Sequence, residues 1–282
     1  MTLKTEEATN ETSDQRDDAF PIVGIGASAG GLEPIRELLR HLPSTLGLSF
    51  VIIQHLAAGQ ESLLPEILAR STKMQVVQVT DNLEVIENHV YVIPPGTTMT
   101  LEGSYLKLVP KVATQRPINA FFSSLALERK SQAIGIVLSG LGNDGTEGLK
   151  AIKAEGGITF AQEPKNAQYA DMPRNAIDSQ AIDFVLEPER IAKELTILAR
   201  QPNLIHAKAK ELEIQLSKEE TDLRKILMLI KTAFGVDLTH YKQTTVNRRI
   251  TRRLVINKSE NLRQYVDVLR SDKKELQALF ND

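Results

Sequence analysis

The stretch Phe20-Pro21-Ile22-Val23-Gly24-Ile25-Gly26-Ala27-Ser28-Ala29-Gly30-Gly31-Leu32 decides how the chain is read. Ile22 to Ile25 is an apolar run of buried-strand type. Small residues come next, and then Leu32, Ile35, Leu38, Leu39 and Leu42 recur at helical spacing. Gly26, Ser28 and Gly30 fit G-x-S-x-G, the pattern of a serine held on a tight strand-to-helix turn. The glycines allow a sharp turn and a close approach by a substrate. The amides that open the helix aim partial positive charge at whatever lies over Ser28. A hydroxyl there suits attack on a carbonyl, with the resulting oxyanion stabilised. Other readings compete. Gly24, Gly26 and Gly30 loosely resemble a dinucleotide fingerprint, but the last glycine is one residue late. The next strand also ends in Gln54-His55 rather than the acid that would hold a ribose. A Walker-type phosphate loop needs a lysine after the glycines, and none is present. A glycine-rich turn carrying an inert serine stays open on this stretch alone.

Outward from this stretch, apolar strands at Ile22–Ile25, Ser49–Gln54, Ala133–Leu138 and Gly157–Ala161 alternate with helical patterns. The helices are read at 32–42, 62–70, 119–130, 145–155, 172–179 and 187–200. That alternation predicts an α/β fold with a doubly wound, mostly parallel sheet covered on both faces. Glu87 to Gly96, Thr98–Leu101 and Tyr105–Val109 read as short strands of an antiparallel hairpin attached to it. The chain has 282 residues and is 41% hydrophobic, enough for one large domain and a small one. It has no cysteine, which excludes disulfides, thiolate nucleophiles and cysteine-ligated metals. Residues 1–18 are polar, without the apolar region of a signal peptide, and read as a disordered tail. No apolar run approaches membrane-span length, so a cytoplasmic protein without membrane insertion is expected.

Charge divides the chain. From Leu223 onward there are 13 Lys and Arg against 6 Asp and Glu, whereas the whole chain has 34 against 36. The domains read as 19–200, a polar linker at 201–222, and a small all-α domain at 223–282. In the last, Leu223, Ile226, Leu227 and Ile230 form an apolar face. Thr245 is a candidate cap of a helix bearing Val246, Ile250 and Leu254, and Ser259 and Ser271 precede two more helices. In that helix Arg248, Arg249, Arg252 and Arg253 have no acidic residue among 245–258 to pair with. Their forked guanidinium groups are expected on the outer faces, docking an acidic, glutamate-rich segment of a partner protein. No aromatic residue alternates with them to stack on bases, which argues against nucleic acid.

Ligands of open parallel sheets bind beyond the carboxyl ends of the strands. Three reactive residues fall there: Ser28 after the first strand, His55 after the second, and Asp144 after Ala133–Leu138, in Ser139-Gly140-Leu141-Gly142-Asn143-Asp144-Gly145. A serine needs a base to take its proton and a carboxylate to hold the histidine tautomer. Each residue also has a bland reading. His55 would be a satisfied strand-end histidine, and Asp144 a helix cap before Thr146. Their joint occurrence at three strand ends favours the chemistry. His41, His89, His206 and His240 have no comparable setting.

Five stretches in order resemble the catalytic domain of chemotaxis protein-glutamate methylesterases of CheB type. They are Gly24 to Gly31, Gln54-His55-Leu56, Arg116-Pro117, Gly140 to Gly145, and Ala161-Gln162-Glu163 through Tyr169-Ala170-Asp171-Met172-Pro173. The resemblance implies Ser28 as nucleophile, His55 as base, Asp144 as third member, and backbone amides of Ala29 and Leu141 at the oxyanion. Ala29 departs from the family's usual threonine. Gly235 to Leu238, His240-Tyr241-Lys242, the Arg248–Leu254 run and Leu276 to Asp282 resemble the helical N-terminal domain of CheR-type receptor methyltransferases. Together the two resemblances imply a serine hydrolase that removes glutamyl methyl esters from a methyl-accepting receptor, with glutamine deamidation as a second reaction. A histidine kinase is a further expected partner. No metal or cofactor is expected in this segment. S-adenosylmethionine is expected only for a larger methyltransferase domain, in a longer fusion of which this chain would be a fragment. The alternative is a non-catalytic signalling module that binds receptor helices or a kinase.

Overall fold

A computed structural model describes residues 20–55, 62–112, 115–200, 220–238 and 241–282. The tail read at 1–18, most of the linker read at 201–222, His206 and His240 lie outside the described residues. The main sheet is built from β1 Ile22–Ala27, β2 Ser49–Gln54, β3 Gln75–Gln78, β5 His89–Val92, β8 Ala133–Val137, β9 Ile158–Gln162 and β10 Phe184–Leu186. These seven strands are parallel, in the order β10-β9-β8-β1-β2-β5-β3. The chain winds outward from β1 through β2 to one edge. It then returns to β8 on the other side of β1, so the topology switches at β1.

The predicted hairpin is β6 Thr97–Glu102 with β7 Tyr105–Pro110. With β4 Leu83–Glu84 it forms a separate antiparallel sheet. His89–Val92, read as part of that hairpin, instead pairs in parallel with β2 and β3 in the main sheet.

Strand alternation sorts the core. Val23, Ile25, Phe50, Ile52, Ile134 and Ile136 face α1 Leu32–Arg40 and α6 Pro188–Ala199. Ile22, Val51, Ile53 and Val137 face the opposite layer, which contains α3 Pro117–Arg129, α4 Thr146–Ala154 and α5 Asp171–Asp178. The smaller α2 is Leu64–Ala69. On that second face the strands carry glycine where the helices press closest. A Cβ on Gly26 would lie 2.4 Å from Ile118 Cγ2, and one on Gly24 2.8 Å from the Phe122 ring. These two glycines therefore lie within β1 and serve helix–sheet packing rather than the turn. The turn itself uses Gly30, at φ +69°.

The C-terminal unit comprises α7 Glu220–Phe234, α8 Gln243–Ile256, α9 Leu262–Ser271 and α10 Lys273–Asn281. Its core gathers Ile226, Ile230, Ile250, Leu254, Tyr265 and Leu269 among others. The caps differ from the sequence reading. Lys242 precedes α8 with no side-chain cap, while Asn261 and Asp272 cap α9 and α10. Asp272 accepts from two backbone amides at once, taking the place read for Ser271.

Gly26→Ala should destabilise the protein by about 1–3 kcal/mol, the usual cost of overpacking a filled core. The expected result is a lower urea midpoint with an unchanged slope.

Candidate functional site

Three strand ends meet at the topological switch point. Ser28 follows β1, His55 follows β2 and Asp144 lies in the loop after β8. The neighbouring pairs β1–β2 and β1–β8 bring these ends side by side. His55 N–H donates to Ala27 O at 3.2 Å, and Ser28 N–H to Ser139 O at 3.0 Å, so both turns continue the ladder.

The side chains form a relay. His55 Nδ1 lies 3.1 Å from Ser28 Oγ, and His55 Nε2 lies 2.9 Å from Asp144 Oδ2. The relay sets the tautomer: Nε2–H donates to the carboxylate, and Nδ1 accepts from the serine hydroxyl. The imidazole is presented the opposite way round from the serine-protease template, in which Nε2 faces the serine. The His55 side chain is 30% exposed and Asp144 only 7%, so the base faces solvent and its support does not.

Asp144 is held by more than the imidazole. Ile118 N–H donates to Oδ2 at 3.1 Å. Asn119 and Gly145 N–H donate to Oδ1 at 3.0 and 2.9 Å. Ile118 and Asn119 belong to the first turn of α3, whose first residue, Pro117, has no N–H to satisfy. The carboxylate thus takes up free amides of a neighbouring helix and sits at its positive end. Burial works to raise the Asp144 pKa. The hydrogen bond from His55 and the amides of Asn119 and Ile118 outweigh it and hold the group below its ordinary value.

Around the serine, Gly140 packs so closely that a Cβ there would meet Ser28 Cβ at 2.9 Å. The amides of Ala29 and Leu141 have no acceptor among the described residues, unlike those of Ser28, Gly31 and Gly140. Ser139, fully buried, ties the turns together. Its hydroxyl donates to Ala29 O at 2.9 Å and accepts from Tyr169 N–H at 3.0 Å. Gln162 at the end of β9 accepts from Ser139 N–H at 2.9 Å. Met172 N–H donates to Gly140 O at 3.0 Å. The stretches Ala161-Gln162-Glu163 and Tyr169 to Pro173 therefore act as the scaffold of the serine loop. Sequence reading placed Ser139 in the loop without giving it a role, because a lone serine in a Ser-Gly turn carries no spacing signal.

Two of the four arginines are not where the sequence reading put them. Arg252 and Arg253 are buried, and Arg252 pairs with Asp183 and Asp282. Arg253 forms a forked pair with Glu275, which also accepts from Tyr265 Oη at 2.7 Å. Burial works against the charge on Arg253, and Glu275 outweighs it, raising the pKa. Arg248 pairs with Glu155 at 2.8 Å. The missing acidic partners lie far off in sequence, which a local window cannot reveal. Arg249, half-buried, is left beside a cavity of about 380 Å³ lined by Ile230, Tyr241, Ile250 and Phe280.

Among the described residues, Glu37, His41 and Glu189 are also close enough to share a cation. Glu37 on α1 and Glu189 on α6 are half-buried, His41 just past α1 is exposed, and Glu37 and Glu189 are already ion-paired with Arg40 and Lys193. No helix among the described residues is long and apolar enough to cross a membrane.

A serine, histidine and buried aspartate in relay at the switch point of a doubly wound sheet define a site of serine-hydrolase type. Residues 23–195 match the CheB methylesterase family model, and the chain belongs to that family. Residues 221–282 match the model of the all-alpha domain of CheR methyltransferases. The crystal structure of the Thermotoga maritima CheB methylesterase catalytic domain superposes with a TM-score of 0.59 at 26% identity. It covers 64% of this chain and 99% of that one. A Leptospira interrogans protein, provisionally named a protein-glutamate methylesterase/protein-glutamine glutaminase, is 33% identical over 189 residues. That match spans 66% of this chain and 97% of the relative. An uncharacterised 104.1 kDa protein of Rhodobacter capsulatus is 37% identical over 236 residues. That match takes in 77% of this chain but only 25% of the relative's length.

Asp144→Asn should lower kcat roughly 10³–10⁴-fold, because the amide no longer fixes the tautomer that Ser28 needs. The same variant tests the linkage. A depressed carboxyl contributes stability above its unfolded pKa and loses it as pH falls through the folded value. Wild type should therefore lose stability below about pH 4, and Asp144→Asn should lack that share of the loss in urea titrations.

Proposed function

We propose that this chain hydrolyses methyl esters of glutamate side chains on a receptor-like protein, giving glutamate and methanol. The observation that carries the reading is the continuous relay Ser28 Oγ, His55, Asp144, with a 3.1 Å gap between hydroxyl and base. Ser28 Oγ attacks the ester carbonyl while His55 Nδ1 takes its proton. The oxyanion that forms is met by the free amides of Ala29 and Leu141. Collapse expels methoxide, which leaves as methanol with the proton returned by His55. Water, activated by the same base, then releases the glutamate and frees Ser28. Asp144, ionised throughout, holds the imidazole in place and stabilises its charged form.

A glutamine side chain would take the same path with ammonia as the leaving group. Every group used belongs to this chain, so the reaction as written calls for no metal or cofactor. The setting implied is the cytoplasm, with a methyl-accepting receptor as substrate and a histidine kinase as its output. Of the four arginines, Arg249 is the one without an ion pair among the described residues, and so the one left to meet an acidic receptor segment. Methyl transfer from S-adenosylmethionine is not assigned to residues 221–282, which match only the all-alpha part of a methyltransferase.

Methanol release from a methylated receptor fragment tests the reading. Ser28→Ala should abolish turnover, and His55→Ala should be comparably damaging, because members of a relay act as a unit. Ser28→Ala should unfold at the wild-type urea concentration, whereas His55→Ala takes a donor from the buried Asp144 carboxylate and should unfold at a somewhat lower one. Near wild-type methanol release by Ser28→Ala would remove the assignment.

A further inference from the structure

The two family matches treat residues 23–195 and 221–282 as separate modules. The structure joins them through one buried arginine. Arg252 of α8 donates from Nε to Gly157 O at 2.9 Å and pairs with Asp183, both on the sheet domain. Its remaining arm pairs with Asp282 of the helical unit. Lys153 of α4 approaches Asp282 at 3.1 Å. Two cations thus meet two carboxylates, and Arg252, Asp183 and Asp282 each keep 3% or less of their side chain exposed. Around this centre, Arg248 pairs with Glu155 and Lys258 with Glu194 at 3.0 Å. Val255 of α8 enters the same apolar core as α6.

The position of the joint matters as much as its chemistry. Gly157 and Asp183 immediately precede β9 and β10, and Glu155 ends α4. All three mark the amino-terminal edge of the sheet, whereas Ser28, His55 and Asp144 mark the carboxyl-terminal edge. Five residues of β9, at roughly 3.3 Å each, set the two edges about 16 Å apart. With the helical unit docked, His55 is still 30% exposed and Leu141 53% exposed.

We propose that the amino-terminal sheet edge is a docking surface for the helical unit, with Arg252 as its central tie. The joint makes one rigid body of the two modules and leaves the Ser28 face uncovered. The helical unit is therefore carried at a fixed place behind the esterase site and does not act as its lid. A buried ionic centre of this kind fixes orientation, since an arginine fork donates to its partners in one geometry only. Removing one member strands the other charges away from water.

The test is amide hydrogen exchange on the full chain, paired with hydrolysis of a small activated ester such as p-nitrophenyl acetate. Arg252→Met keeps much of the side-chain length and removes the tie. Exchange in α7–α10 should accelerate at least roughly tenfold, as it does when a cooperative unit opens alone. Exchange in β1, β2 and β8 should stay at wild-type rates. Esterase kcat/KM should stay within about twofold, as expected for sites without shared partners. If Arg252→Met does not fold, Arg248→Glu breaks a solvent-facing pair, and adding Glu155→Arg should restore slow exchange. Wild-type exchange in α7–α10 in both variants would overturn the joint. A tenfold loss of ester hydrolysis with β1 and β8 still protected would overturn the separation of the two faces. The exchange readout stands whether or not the natural substrate is a methylated glutamate.

Discussion

Four hydrogen bonds to one carboxylate organise the sheet domain. Asp144 draws donors from α3, from its own loop and from His55, so it links a strand end, a helix start and the base in one contact set. A carboxylate 7% exposed would ordinarily be costly to keep charged. Here the first-turn amides of α3 would themselves be orphaned without it, so each side resolves the other's deficit. The charge is thus held by backbone whose position depends on the whole layer of α3 against β1. That makes His55's orientation a property of the fold rather than of a local loop.

The glycines of β1 belong to the same constraint. For Ile118 and Asn119 to reach Asp144, α3 must lie low on the sheet. Gly24 and Gly26 leave the space that Phe122 and Ile118 fill. A glycine-rich strand end invites a reading in terms of ligand approach, as it does for nucleotide-binding turns. In this chain two of those glycines instead set a helix–sheet distance, and the helix in turn supports the site.

Burial decided how much of the fold was legible in the sequence. β1, β2, β8 and β9 are continuous apolar runs because both faces are covered, and these hold or flank the relay. Gln75–Gln78 and Phe184–Leu186 lie at the two edges of the sheet, are partly exposed and short, and carry no such run. The relay could be read because Ser28, His55 and Asp144 each come after a recognisable strand. Its supports could not. Ile118 and Asn119 contribute backbone amides, which any residue type but proline would offer, and Ser139 acts through contacts up to 110 positions away.

The arginines show the same limit from the opposite side. A window of 245–258 contains four guanidinium groups and no acid, so repulsion is the only local inference. The partners, Glu155, Asp183, Glu275 and Asp282, are brought in by two domains. Buried ion pairs add little net stability over well-packed apolar residues, because desolvation offsets much of the attraction. Their strength is directional: an apolar patch tolerates rotation and sliding, whereas a fork between Gly157 O, Asp183 and Asp282 has one solution. An arginine-rich helix on a small domain is therefore as consistent with fixing that domain against its neighbour as with recruiting a partner. Local charge density does not distinguish the two. The position of the acids in the folded chain does, and here it assigns Arg252 to the joint and Arg253 to the helical unit's own interior, and leaves Arg249 half-buried at the cavity beside Tyr241 and Phe280.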